Sequence, residues 1–177
     1  MKCSNCGGEL FFYIVFYVCK NCNTNHLIEN VFENHDVFLC YVETDREGRR
    51  TKDSIIAAEI YKNFESKKIS CFFEHISASN ATDDELEIIR NSAIRRAKII
   101  VIIGTNENHF STLYNNYFEL FGDKKLIPVI SDMKPEQLPE KLRPFQTSNY
   151  DALGALNDLS ASILNLLGRS KEVELEE

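Results

Sequence analysis

Ile99-Ile100-Val101-Ile102-Ile103 is a run of five β-branched residues with no polar residue among them. A strand with one face in water would carry a polar residue at every second position. This run instead predicts a strand buried on both faces, the environment of a central strand in a parallel sheet covered by helices. Val37-Phe38-Leu39-Cys40 repeats the pattern in shorter form, and Ile69–Phe73 and Leu126–Ile130 read as two further strands. Pro128 has no N–H to give to a ladder, so its strand is expected at or near an edge. Phe145–Ser148 offers a short fifth strand.

Helical stripes lie between these strands. Ile56, Ile60 and Phe64 recur every four residues with Tyr61 alongside, and Thr51, Asp53 or Ser54 supplies a cap. Leu86, Ile89, Ala93 and Ala97 mark a second helix with Arg90, Arg95 and Arg96 on its other sides. Phe110, Leu113, Tyr114, Tyr117, Phe118 and Phe121 mark a third, stopped by Gly122, and Leu153 to Leu167 a fourth. The stretch Glu74–Asp84 reads as a polar loop, and the prolines from Pro135 to Pro144 punctuate an irregular segment. Strands alternating with helices describe an α/β fold with a parallel sheet covered on both faces. Ligands of such sheets sit at the carboxyl ends of the strands.

The first 27 residues are of another kind. Cys3 and Cys6 form one Cys-x-x-Cys pair and Cys19 and Cys22 a second, with the chain between them forming a hairpin. Four thiolates so spaced close a tetrahedral zinc shell and leave no position for water, which predicts a structural zinc ribbon. Leu10 to Val18 is almost wholly apolar, so the hairpin is expected to pack against the main domain or another subunit. His26 follows a filled shell and reads as a connector residue, while Cys40 and Cys71 fall on predicted core strands as small hydrophobes.

A net charge of −7 argues against a nucleic-acid binder. No stretch is long enough to span a membrane or patterned as a signal peptide. Thiols in pairs suit a reducing compartment, so a cytoplasmic protein is expected. The domains read as a ribbon over 1–27, a main domain over 35–168 and an acidic, disordered tail over 169–177.

With these residues in view, the main domain resembles the bacterial type of Toll/interleukin-1 receptor (TIR) domain. Asp36-Val37-Phe38-Leu39-Cys40-Tyr41 is similar to that family's first box, D-V-F-I-S-Y. Glu43-Thr44-Asp45, then Arg50-Thr51-Lys52-Asp53-Ser54 and Ala57, resembles a subgroup reading E-T-D and R-T-x-D-S-x-x-A. Ala97-Lys98 before the third strand and the Ile127-Pro128 box agree in order and spacing. The resemblance implies a flavodoxin-like, five-stranded parallel sheet with helices on both faces, behind the small zinc-ribbon hairpin. It also implies one of two kinds of work.

Many bacterial members cleave the nicotinamide–ribose bond of NAD to make an ADP-ribose-type signal in anti-phage immunity. Others only assemble, with themselves or with another TIR or effector protein, here through the TIR surface and the apolar hairpin. The enzymes use one glutamate on the helix after the third strand, where a carboxylate offsets charge on an oxocarbenium-like centre. It usually falls within S-x-W-x-x-x-E, which counts to Tyr117 from Ser111 and to Phe118 from Tyr114. The carboxylate on that stretch is Glu119, read as the catalytic group or as a solvated helix residue. Tyr41, Asp45, Arg46, Thr105 and Tyr114 are the candidate substrate contacts. The arginines of the Glu43–Arg50 loop read equally as pyrophosphate partners or a solvated cluster.

Overall fold

The branched run forms strand β6 (Ile99–Gly104), and every residue of it is buried. The structure, a computed structural model, describes residues 5–13, 16–22, 25–27, 35–79 and 83–169. β4 (Val37–Cys40) and β7 (Lys125–Ile130) pair with the two sides of β6, and β5 (Cys71–Phe72) and β8 (Ser148–Asn149) close the edges. All five strands are parallel, in the order β5-β4-β6-β7-β8. This is an α/β sheet in an order compatible with a flavodoxin-like fold.

Four long helices cover it: α1 (Lys52–Ser66), α3 (Asp83–Arg96), α4 (Glu107–Phe121) and α5 (Ala155–Leu166). Alternation along the strands decides which helix meets which residue. Phe38, Cys40, Ile100 and Ile102 point to the side of α3 and α4. Val37, Leu39, Val101 and Ile103 point to the side of α1 and α5, where Ile60 and Phe64 pack. Burial of each large side chain is worth about 1.5–3 kcal/mol. The sheet is therefore held from both faces.

Two features differ from the expectations. The polar stretch after β5 opens with a short helix, α2 (Glu74–Ser77), and residues 80–82 lie outside the described residues. β7 lies one strand in from the edge, near it as expected. β8 covers only Val129 and Ile130, so Pro128 lies where that flank has no partner strand. For the same reason the last strand comes at Ser148–Asn149, three residues beyond the start expected for it at Phe145.

At the opposite end, Asp36 ties three segments. Its buried carboxylate meets Lys98 Nζ at 2.8 Å and Arg169 at 2.9 Å, and its carbonyl accepts the N–H groups of Lys98 and Ile99. Arg169 is thus fixed by an ion pair where the sequence placed the start of a tail; residues 170–177 lie outside the described residues.

The N-terminal part forms a separate antiparallel sheet of β1 (Leu10–Tyr13), β2 (Phe16–Cys19) and β3 (Asn25–Leu27). The expected hairpin is present, and β3 adds a third strand with His26 opposite Tyr17. The packing expected of its apolar side chains lies outside the described residues.

Gly104 ends β6 because α4 leaves no room for a side chain there. A β-carbon would stand 2.7 Å from the fully buried Phe110 ring. Gly104→Ala is expected to lower stability by about 1–3 kcal/mol through overpacking. An unchanged urea midpoint would show that Phe110 yields freely.

Candidate functional site

The strand order reverses beside β4. The chain runs from β4 to one side (β5) and then crosses to the other (β6), so the connecting helices leave on opposite faces and a crevice opens between them. At this point lies a cavity of about 110 Å³, lined by Cys40, Tyr41, Glu43, Glu74, Arg90 and Tyr117. They converge from several pieces of local structure. Cys40 ends β4, Glu74 opens α2 directly after β5, and Arg90 and Tyr117 project from α3 and α4.

Arg90 is the centre of the arrangement. Its Nε and Nη2 each donate to Glu74 at 2.6 Å, a bidentate pair, and its Nη1 donates to the Tyr117 hydroxyl at 3.1 Å. The guanidinium also stands 6.0 Å from the Tyr117 ring centroid. Hydrogen bonding to Glu74 holds the guanidinium even more firmly protonated than usual. Burial pushes the Tyr117 phenol and the Cys40 thiol up, with Arg90 opposing in both cases. Burial, and then the nearby Glu43 charge, does the same to Tyr41. The crevice therefore holds two neutral phenols and a neutral thiol. Its carboxylates are also matched, since Glu43 lies 3.7 Å from both Arg50 and His75. The Tyr41 hydroxyl is buried beside the Glu43 carboxylate and the His75 N–H without a well-formed hydrogen bond to either.

A second polar cluster joins the starts of α1 and α4. Thr51 caps α1, accepting the Ser54 N–H at 3.1 Å while its hydroxyl donates to the Val42 carbonyl. That frees Asp53 to turn inward. Its fully buried carboxylate accepts Thr105 Oγ1 at 2.8 Å and meets His109 Nδ1 at 2.6 Å. Nearby, Lys52 pairs with Asp132 at 2.6 Å, and Asp151 accepts from Ser131 Oγ and the Asp132 N–H. These last two bonds hold Asp151 below the usual carboxylate range.

Of the residues expected to meet a substrate, Tyr41 lines the crevice. Asp45 turns into its own loop, taking the N–H groups of Glu47 and Arg49 at 2.9 Å and Arg49 Nε at 2.8 Å. Arg46 stands exposed at the tip of that loop, and Thr105 is committed to Asp53. Tyr114 is buried beneath Lys141, whose ammonium lies 5.6 Å from its ring centroid. Glu119 is exposed and lines a separate, open groove of about 750 Å³ between α3 and α4. Arg90 and Tyr117 line both this groove and the crevice.

Glu74, Arg90, Tyr117 and the Asp53–His109 pair were not read as site residues from the sequence. Arg90, expected away from the apolar stripe of α3, carried a signal all the same, because it sits four residues after Leu86 and three before Ala93.

In the N-terminal sheet, Leu10 pairs with Cys19, and the Lys20 N–H reaches the Glu9 carbonyl, so residues 5–9 run beside 19–22. Asn5 Nδ2 donates to Cys22 Sγ at 3.9 Å. A β-carbon on Gly8 would lie 2.7 Å from Asn21, so the two turns pack directly on each other. Cys6 and Cys22 are exposed at this end, and Cys3 lies outside the described residues.

Asp53→Ala would leave the Thr105 hydroxyl and the His109 N–H without their buried acceptor. It is expected to cost about 2–4 kcal/mol, read as a lowered urea midpoint, with Asp53→Asn intermediate.

Comparison of the sequence with protein-family models and with curated proteins finds no match.

Proposed function

We propose that this chain is a bacterial TIR-type protein of anti-phage defence that works in the cytoplasm by assembly and not by catalysis. The observation that carries this reading is the content of the crevice. α4 presents the Tyr117 hydroxyl there, already engaged by Arg90, while its carboxylate Glu119 stands exposed on the groove outside. The remaining crevice carboxylates, Glu43 and Glu74, each have a cation close by. An oxocarbenium-like centre would find no unpaired carboxylate. Self-association then runs through the TIR surface and the apolar ribbon hairpin. Cys3, Cys6, Cys19 and Cys22 hold a structural zinc whose loss unfolds the ribbon. The adjoining turns at Gly8 and Asn21 support this, since they bring the turn of Cys6 beside that of Cys22.

A second reading rests on the groove. At about 750 Å³ it is large enough for a dinucleotide, and Glu119 lines it. On that reading NAD is cleaved at its N-glycosidic bond with Glu119 as the carboxylate.

Sedimentation across a concentration series, run with an assay for nicotinamide release, separates the two. The assembly reading expects a concentration-dependent oligomer, lost on Cys3→Ser or on chelation of zinc, with no NAD turnover in any state. A monomer at high concentration sinks it. Nicotinamide release that disappears in Glu119→Ala but persists in Glu107→Ala establishes the catalytic reading instead.

A further inference from the structure

Arg90 and Tyr117 form a wall with a cavity on each side, the 110 Å³ crevice at the end of β4 and the 750 Å³ groove between α3 and α4. The wall is held on the crevice side by Glu74, through the two 2.6 Å bonds to the guanidinium. Both partners are only partly buried, with side-chain exposures of 27% and 22%, so water and solutes reach the pair. Glu74 sits on α2, a single helical turn that β5 hands directly to the segment before α3. Behind the wall are the Cys40 thiol and the Tyr41 hydroxyl, which makes no well-formed hydrogen bond. A hydroxyl held in so strained a pairing gains from any polar ligand group that reaches the crevice.

We propose that the Glu74–Arg90–Tyr117 contact is a latch, and that a small-molecule oxyanion of the phosphate-ester class opens it by taking Arg90 from Glu74. The exchange is one of like for like. A phosphate offers the guanidinium the same bidentate geometry as a carboxylate, and Arg90 keeps a charged partner throughout. Glu74 leaves for solvent with α2, the wall parts, and groove and crevice become one cavity. The Asn91, Asn115 and Asn116 amides along the groove then face whatever the phosphate carries. The crevice receives a polar group that pairs with Tyr41. This latch stands independently of the assembly reading, since it needs neither self-association nor turnover.

Cys40 reports the latch directly. It is buried behind the wall, whereas Cys71 is buried against the opposite face of the sheet and serves as the control for general unfolding. The full chain is treated with a thiol reagent, and modification of each cysteine is followed by mass spectrometry. Glu74→Gln is expected to raise the Cys40 rate roughly tenfold relative to Cys71, as loss of a charge-assisted bidentate pair implies. Inorganic pyrophosphate, or ADP, added to the unaltered chain is expected to do the same, and Arg90→Lys to abolish that response. A response to pyrophosphate alone identifies the oxyanion as sufficient; a response to ADP alone assigns the groove to the attached nucleoside. Should Glu74→Gln fold poorly, Tyr117→Phe removes one bond of the latch and is expected to give a smaller, several-fold rise. Equal Cys40 rates in variant and unaltered chain overturn the latch. A rise in the variants with no effect of either anion overturns the ligand.

Discussion

Strand β6 has no surface left for water, and that constraint organises the main domain. Pairing with β4 and β7 uses both of its edges, and both of its faces carry branched side chains that must be covered. Crossovers between parallel strands are right-handed. A chain that steps from β4 to β5 and then back across to β6 must therefore put α1 on one face and α3 on the other. The two helices diverge from the same point, and the space between them is the crevice. The site is a consequence of burying β6.

The polar groups around that space follow from the cost of burial. A guanidinium in a half-buried crevice requires a partner, and Glu74 is the carboxylate that the end of β5 delivers. The Tyr117 hydroxyl, in turn, uses a third direction of the Arg90 fork. The result links α2, α3 and α4 through one side chain. Asp53 does the same for α1 and α4, joining the two faces across the carboxyl edge of the sheet. Such fully paired networks favour one arrangement of their elements over others more than they add net stability. The carboxyl edge of this sheet is held by two of them.

Much of this was legible in the sequence because burial leaves periodic marks. The β-branched run at Ile99–Ile103, the four-residue spacing of Ile56, Ile60 and Phe64, and the stop at Gly122 each name their element. Short elements were less legible. β8 exists through two pairs with Val129 and Ile130, and α2 is one turn, so neither has enough residues to show a period. The site was legible only where a side chain stays on its own element. Tyr41 follows β4 into the crevice, as the sequence placed it. Asp53 read as a helix cap because Thr51, Asp53 and Ser54 all suit that role, and only the Thr51–Ser54 bond shows which of them caps. Its partner His109 lies 56 residues away, a separation that no local pattern encodes.

Glu119 shows how far helical arithmetic reaches. Phe110, Leu113, Tyr114 and Phe121 are the buried face of α4, and Tyr117 falls between them at the same spacing. A residue two positions further is turned by about 200°. With Phe110 fixed under Gly104 and Phe121 closing the helix, α4 has no freedom to rotate Glu119 inward without exposing that aromatic stripe. The same packing that positions Tyr117 against Arg90 therefore keeps the carboxylate outside. A reaction requiring an acid in the crevice would have to draw it from Glu43 or Glu74, and each of those is already the partner of a cation. What this edge of the sheet offers a visitor is hydrogen-bond donors and a guanidinium on loan to Glu74.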